Sequence, residues 1–429
     1  MFIDYNKFHF NKINVLNLLI SAIPLSLIIG NLATNINIIL ICIVGFLIFG
    51  KEIFFTNSQE NYLLYFFFSY LIIITAFNNL PLLNNNDLYL DHLLKSLFFI
   101  RFFILFLIIN KLIEKKEFNT NIFFNSCAFF SIIIAVDVTI QFIFKSNILG
   151  YPIIDNKPSS FFKSENVAGG YIQKFILFFI FLLSIKKREK INYLNSIIFF
   201  SIIFFITIIL TGNKMPALLF LISIILFIFF EKKLKQLLIT SIILLLVFFS
   251  FTKIIISERL HTDLKNFISE AVLIIEKAPK LFLYNKIDDE YSWKTGYLIH
   301  FNSGVQQWKQ NKIFGAGLKS FRINCTFKKN QTCNTHPHNY FIELLVETGL
   351  VGTILIYLVF IIGLKNFLNF YFNEKNISAK LTSIIFFLLI FTEFLPIRSS
   401  GSFFTTSNAT FIFLILPLFL NIKKIEKLK

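Results

Sequence analysis

Residues 194–230 read LNSIIFFSIIFFITIILTGNKMPALLFLISIILFIFF. Two apolar runs, 194–210 and 215–230, are separated by the four residues Thr211-Gly212-Asn213-Lys214. Each run is long enough to cross a hydrocarbon core of roughly 30 Å as a helix. The stretch therefore predicts two membrane-spanning helices joined by a tight turn.

The rest of the chain shares this apolar character. Of its 429 residues, 56% are hydrophobic and only 15% are charged, and the mean hydropathy is +0.71. A soluble domain of this size needs roughly a quarter charged residues to cover its surface. The composition excludes a soluble enzyme, a disordered protein and a secreted disulfide-rich module, and the repeated runs predict an all-α polytopic membrane protein.

The apolar runs predict about twelve spans. We place them near residues 13–29, 36–50, 61–77, 93–109, 121–144, 168–185, 194–210, 215–230, 236–252, 338–364, 381–397 and 409–421. Most Lys and Arg residues collect in alternate connections, which places both chain ends in the cytoplasm. The net charge of +17 therefore reflects membrane topology and predicts no nucleic-acid partner. The short outside connections hold a few cations, namely Lys145, Lys157, Lys163, Lys214 and Arg398.

One outside connection, residues 253–337, is much longer than the others and is predicted to be a small folded periplasmic lid. It separates helices 1–9, in residues 1–252, from helices 10–12, in residues 338–429. Apolar residues recur in it at three- and four-residue steps, at Leu298, Phe301, Val305 and Trp308. This spacing predicts an amphipathic helix that lies on the membrane surface or packs on the bundle.

Two cysteines of this loop, Cys325 and Cys333, stand eight positions apart. In an oxidising compartment they are able to form a disulfide that closes a short excursion of the chain. The alternative is a zinc site formed with His336 and His338, although the spacing matches no standard zinc finger. We favour the disulfide and predict no metal site.

The segment 336–353 carries the strongest chemical signal. Pro337 suits a first helical position, so we expect the tenth span to begin here with His338 in its first turn. The free amide protons of such a helix start attract phosphate. Glu343 and Glu347 share one face deeper in the span and are expected to face the bundle interior. They are either functional carboxyls or hydrogen-bond acceptors that orient a neighbouring loop.

His338-Asn339, followed nine residues later by Gly349-x-x-Gly352-Thr353, resembles the signature of the O-antigen ligase and O-antigen polymerase superfamily. The two glycines also predict the close approach of another helix. The span number, the cytoplasmic ends and the position of the large loop are similar to the family as well. Weaker similarities lie at 162–168, which includes Asn166, at 211–214, and at 313–317 with Ser320 and Phe321.

This resemblance implies a bacterial inner-membrane enzyme with the fold of the lipid-dependent, GT-C-like glycosyltransferases. It would transfer a glycan from undecaprenyl diphosphate to lipid A core, or to another glycan or protein hydroxyl, at the periplasmic face. The implied route inverts the sugar and uses no metal or other cofactor. The resemblance leaves open a polymerase, which uses a second lipid-linked glycan as acceptor. A transporter or lipid flippase is the alternative from another class, but the sequence shows no matching halves.

The resemblance also assigns site residues. His338 matches the family histidine and is expected to deprotonate or orient the acceptor hydroxyl, or to contact the diphosphate. Lys214 stands where most relatives have an arginine, so it keeps the charge but loses the two-pronged contact. The candidate substitutes for a loop arginine of the relatives are Arg259, Lys294, His300 and Arg322, and Arg259 and Arg322 are our first choices.

Further residues are expected to support these groups. Lys174, early in the sixth span, either snorkels to the membrane surface or faces the diphosphate. The supporting and orienting residues are Asn166, Asn339, Glu343 and Glu347.

Two interior ion pairs are predicted from charges within or beside the spans. Asp137 in the fifth span is expected to pair with Arg101 in the fourth. Glu393 and Arg398 lie five residues apart near an outer helix end and are expected to pair locally or to order the turn at Gly401 rather than to act on substrate.

Overall fold

The computed structural model describes most of the chain outside the large loop. The described residues are 12–55, 58–79, 87–154, 157–163, 165–187, 193–230, 296–322, 335–396, 398 and 401–425, with the single positions 243, 272, 276 and 282. Arg259, Lys294, Cys325, Cys333 and the ninth predicted span, 236–252, lie outside these ranges apart from position 243. The predicted disulfide and its zinc alternative therefore stay predictions.

The described part of the chain is helical and contains no strand beyond two isolated bridges. Its α-helices are α1 (Lys12–Ser21), α2 (Ile23–Ile29), α3 (Asn31–Phe49), α4 (Gln59–Asn79), α5 (Asp87–Glu114), α6 (Thr120–Phe144), α7 (Ala168–Lys187), α8 (Tyr193–Leu210), α9 (Lys214–Phe230), α10 (Gly296–Trp308), α11 (Tyr340–Asn373), α12 (Ile377–Phe394), α13 (Thr406–Leu420) and α14 (Ile422–Ile425). Short 3₁₀ segments occupy Gly50–Phe54 and Ser160–Phe162.

Six of these helices are long and apolar enough to cross a membrane: α3, α4, α5, α6, α11 and α12. Helices α7, α8, α9 and α13 are apolar but shorter. Large side chains such as Leu32 and Phe66 stay exposed on α3 and α4, as expected for helices surrounded by lipid. The polytopic, all-helical class is therefore confirmed for the described residues, whereas the total of twelve spans is not.

The first predicted span is broken rather than continuous. Helices α1 and α2 meet at Ala22 with a bend of 45°. Pro24 lies in the first turn of α2, where its missing N–H costs no helical hydrogen bond, whereas proline within a continuous helix would remove one. The break brings the end of α2 and the start of α3 to one side of a large cavity.

Helix α11 is interrupted at Gly349, whose φ of 63° and ψ of −167° are not helical. Residues 312–317 fill the gap, and we call this insertion the interlock. On the side before the break, Ala316 N–H donates to the Val346 carbonyl at 3.0 Å. The carbonyl of the next helical residue, 347, accepts from the N–H of residue 317 at 2.8 Å.

The interlock also satisfies the side of α11 that follows the break. Leu350 N–H donates to the Lys312 carbonyl at 3.0 Å, and Val351 N–H donates to the Ile313 carbonyl at 3.1 Å. Backbone groups that lose their helical partners at the break are therefore paired with a separate segment of the chain.

The interlock needs glycine at two positions. Gly315 and Gly349 have φ values of 77° and 63°, which side chains of L-residues disfavour. A Cβ on Gly315 would lie 2.6 Å from the Glu347 carbonyl oxygen, and one on Gly349 would lie 2.5 Å from the Gly315 nitrogen. The expectation that another helix approaches at Gly349 is therefore wrong. Gly349 admits the interlock loop, and a Cβ on Gly352 would meet Thr348 of α11 itself.

The start of α11 also differs from the prediction. The helix begins at Tyr340, and Asn339 is its N-cap, with its side chain accepting a hydrogen bond from Ile342 N–H at 2.9 Å. His338 therefore precedes the helix instead of lying in its first turn, and Pro337 is not the first helical residue. An asparagine side chain satisfies a free amide of the first turn, which proline cannot do, so the cap determines where the helix begins.

Helix α10 packs on this part of α11, which confirms the second of the two alternatives for the amphipathic helix. Phe301 and Val305 are buried in one cluster with Ile342 and Val346. Gly304 of α10 faces the same region so closely that a Cβ would lie 3.0 Å from the Pro337 side chain. The packing of α10 therefore holds the segment that carries His338 in place.

Candidate active site

A cavity of about 950 Å³ lies between the α2–α3 junction, the start of α7, the α8–α9 turn and the segments before α11 and α13. We call it the basic chamber. Among the described residues, its wall carries one carboxylate, Glu165, and these cations: Lys157, Lys163, Lys174, Lys214 and Arg398. An excess of positive charge in a partly enclosed space favours an anionic ligand.

His338 lies on the wall of the basic chamber within a group of three imidazoles. Its ring centroid is 4.1 Å from that of His336 and 5.0 Å from that of His300. Burial, together with the neighbouring His300, lowers the pKa of His338 to about 4. The imidazole is therefore neutral near pH 7, which is the form that a general base must have, and burial also makes it a weaker base than a free histidine.

Asn339 connects His338 to the segment that follows α12. Its side-chain amide donates to the Pro396 carbonyl at 2.6 Å and to the Arg398 carbonyl at 3.0 Å. His338 itself has a φ of 55°, a left-handed conformation that is uncommon for a residue with a side chain. The N-cap thus positions both the histidine and the Arg398 backbone.

A buried carboxylate holds two cations at this wall. Glu393 Oε1 lies 2.6 Å from Arg398 Nη1 and 3.5 Å from Lys174 Nζ. Lys174 also donates to Asn408 Oδ1 at 3.0 Å. The predicted pairing of Glu393 with Arg398 is confirmed, and Lys174 is buried in the network, so it does not snorkel to the membrane surface.

The turn between α8 and α9 places Lys214 at the first position of α9. Gly212 closes the turn with a φ of 72°, and its N–H donates to the Ile209 carbonyl at 2.8 Å. The turn packs on α7 at Gly169, where a Cβ would lie 2.5 Å from the Oγ1 atom of residue 211. Asn213 lines the chamber beside Lys214, and its Nδ2 is buried without a hydrogen-bond partner among the described residues.

Asp137 holds the connection after α6 rather than an arginine. Its carboxylate accepts hydrogen bonds from Ser160 Oγ at 2.6 Å and from Ile148 N–H at 3.0 Å. Arg101 instead donates to Asn35 Oδ1 at 3.1 Å. The predicted Asp137–Arg101 pair is therefore wrong, because a loop that folds back on α6 offers the carboxylate nearer donors.

Gln141, one turn further along α6, completes this anchor. Its Oε1 accepts from the N–H groups of Ser159 and Ser160 at 2.9 and 2.7 Å. Because this connection is tied to α6 at several points, Lys157 and Lys163 are carried to the chamber wall.

The two glutamates of α11 lie behind the chamber and are each 1% exposed. Glu343 accepts hydrogen bonds from Ser402 Oγ at 2.5 Å and from Phe403 N–H at 2.6 Å. It thereby orients the loop before α13, as expected if Glu343 is a hydrogen-bond acceptor rather than a functional carboxyl. Glu347 is next to the interlock, and its Oε2 has no hydrogen-bond partner among the described residues.

The basic chamber brings together four of the predicted site residues, His338, Lys214, Lys174 and Asn166. Arg322 is exposed and is not part of the chamber wall. The other cations of the wall and His336 were not predicted from the sequence to bind substrate. A signal was present, because these cations are among the few positive charges that the predicted topology places outside: Lys157, Lys163 and Arg398.

Part of the chain that forms this site matches a known protein family. Residues 199–357 match the family model described as O-antigen ligase. This region of the chain is similar to the O-antigen ligase family. This finding confirms the resemblance noted in the sequence, and the comparison with curated proteins finds no match.

The O-antigen ligase match covers the Lys214 turn, α10, the interlock and His338. It ends before Arg398 and begins after Lys157, Lys163 and Lys174, so much of the chamber's charge comes from outside the matched region. Within the described residues, no group of three His, Cys, Asp or Glu side chains is arranged to hold a metal ion.

Proposed function

We propose that the protein is an inner-membrane glycosyltransferase of the O-antigen ligase type. It transfers a glycan from undecaprenyl diphosphate to a hydroxyl of lipid A core, or of another glycan or protein, at the periplasmic face. The observation that carries the proposal is the meeting of His338 with cations from several separate segments around one chamber.

The chamber suits a diphosphate leaving group. As the glycosidic C–O bond breaks, negative charge grows on the diphosphate, and fixed cations lower the free energy of that transition state. Lys214, Lys174 and Arg398 supply such charges from three different segments. Diphosphate is already a good leaving group, so the remaining task is to position and deprotonate the acceptor.

The apolar part of the chamber suits the polyisoprenoid tail. Leu27, Ile28 and Ile29 line it at the end of α2, and Met215 and Leu219 line it on α9. Ile29 is 68% exposed on the outer surface of the described structure. A lipid in the membrane therefore has an apolar surface that leads to the cations.

His338 is the proposed general base. The acceptor oxygen forms a bond to the anomeric carbon, the bond from that carbon to the diphosphate oxygen breaks, and the leaving group keeps the electron pair. The hydroxyl proton passes to the neutral imidazole of His338. Attack from the face opposite the leaving group inverts the anomeric carbon.

The test uses purified protein in nanodiscs with an undecaprenyl-diphosphate glycan and candidate acceptors, and it measures release of undecaprenyl diphosphate. The variant is His338→Asn, because asparagine tolerates the left-handed backbone at this position. We expect transfer to fall by about 10²-fold or more, with thermal stability close to that of the wild type. Release at the wild-type rate would refute the catalytic role.

The choice of acceptor distinguishes a ligase from a polymerase. Product formed on lipid A core or on another acceptor without a lipid carrier supports the ligase, whereas chain growth only on a second lipid-linked glycan identifies a polymerase. Movement of lipid-linked glycan between leaflets without bond formation would identify a flippase.

A further inference from the structure

We propose that Lys157 is a diphosphate-binding residue that acts together with Lys214. This inference rests on the proposed function and adds a residue from the α6–α7 connection, which lies outside the O-antigen ligase match. Lys214 lies at the end of the α8–α9 turn, and Lys157 reaches that turn from the α6–α7 connection. The two lysines bind one diphosphate group between them.

The first support is the contact between Lys157 and the α8–α9 turn. A Cβ on Gly212 would lie 3.1 Å from Lys157 Cγ and 3.3 Å from both Cδ and Cε. The alkyl chain of Lys157 therefore lies along the turn that ends at Lys214, and both residues line the chamber. A side chain at position 212 would compete for this space.

The second support is the anchoring of the connection. Lys157 N–H donates to the Ile154 carbonyl at 2.9 Å, and the nearby Ser160 is bound by buried Asp137 and Gln141. Ser160 adopts a φ of 55°, which a serine accepts only where its surroundings hold it. Lys157 therefore lies three residues before a point at which a buried network ties the connection to α6.

The third support is charge. No carboxylate of the described residues lies within ion-pair distance of Lys157, whereas Lys174 and Arg398 share Glu393. A lysine binds phosphate as a point charge and cannot make the two parallel contacts of an arginine. Two lysines that reach different phosphate oxygens supply both contacts.

The experiment measures binding of inorganic diphosphate to the full-length protein in nanodiscs by titration calorimetry. The variants are Lys157→Ala, Lys214→Ala and the double variant, and Lys145→Ala is the matched control, because Lys145 belongs to the same connection but is not on the chamber wall. We expect each chamber variant to weaken binding about tenfold and Lys145→Ala to leave it unchanged. Lys157→Arg keeps the positive charge and should bind diphosphate about as tightly as the wild type.

Binding by Lys157→Ala that equals the wild type would overturn the inference, as would an equal loss in Lys145→Ala. The outcome is separate from that of the proposed function. If transfer does not depend on His338 while diphosphate binding depends on Lys157, the function fails and the binding site stands. If transfer depends on His338 and Lys157→Ala leaves both diphosphate binding and KM for the donor unchanged, the function stands and this inference fails.

Discussion

The interlock and the basic chamber lie near each other along α11 but are built in opposite ways. In the interlock, backbone groups of residues 312–317 satisfy the break at Gly349, and the fit depends on the absence of side chains. In the chamber, five cationic side chains and one carboxylate, Glu165, face one space, and the buried carboxylate of Glu393 pairs with two of the cations. The backbone groups of the interlock are already paired with each other, whereas the chamber is suited to a ligand that brings negative charge.

The largest expected effect comes from filling the interlock. Gly315→Ala adds a methyl group 2.6 Å from the Glu347 carbonyl oxygen at a φ of 77°. Backbone strain and overpacking together should lower the free energy of unfolding by about 3 to 5 kcal/mol. Thermal unfolding in detergent, followed by fluorescence, measures the change.

Gly150→Ala is the control for that substitution. Gly150 has a similar φ of 83°, but no atom lies within 4 Å of the added methyl position. It should cost only the backbone strain, about 1 to 2 kcal/mol. Equal losses in the two variants would show that the close fit of the interlock contributes nothing.

The next effect comes from removing the carboxylate that the chamber cations share. Glu393→Gln leaves Arg398 and Lys174 buried without their anion, which should cost about 3 kcal/mol. Glu52→Gln is the control, because Glu52 pairs with Lys115 at 2.7 Å on the exposed surface. An unfolding midpoint for Glu393→Gln as high as that of Glu52→Gln would remove the stabilising role of the buried pair.

The smallest effect is on the pH dependence of stability. Burial, with nearby histidines, lowers the pKa of both His336 and His338 to about 4, whereas an unfolded histidine has a pKa of about 6.5. Between these values the unfolded chain binds more protons, so stability should fall as the pH falls from about 6.5 to about 4. Unfolding midpoints over this range should drop less in His336→Gln than in the wild type. Parallel plots of midpoint against pH for the two proteins would contradict the lowered pKa of His336.

Much of the fold follows from the sequence, because residues that are adjacent in the chain determine whether a segment forms a membrane-spanning helix. Each predicted span within the described residues overlaps helical structure, since a run of apolar residues both favours a helix and places it in lipid. The breaks at Ala22 and Gly349 were not predicted. The break at Gly349 depends on what fills the space beside the helix, which is a loop more than thirty residues earlier in the chain.

The candidate site was predicted in part for a related reason. His338 and Lys214 stand in motifs that resemble a family, and a second pair, Glu393 and Arg398, is close enough in sequence to suggest its contact. Asp137 was assigned the wrong partner, because a charge within a span shows that a partner is needed but not which one. The lysines of the α6–α7 connection were counted as topology signals, and their place on the chamber wall depends on how that connection folds.

Composition and short motifs were enough to specify the membrane environment and the helical class and to select His338 as a candidate site residue, because each of these depends on residues that are close together in the chain. Which cations share one chamber and which loop fills the break at Gly349 became known only from the folded arrangement. Those features join residues that are far apart in the chain, and their contacts depend on packing in three dimensions, which spacing along a sequence does not encode.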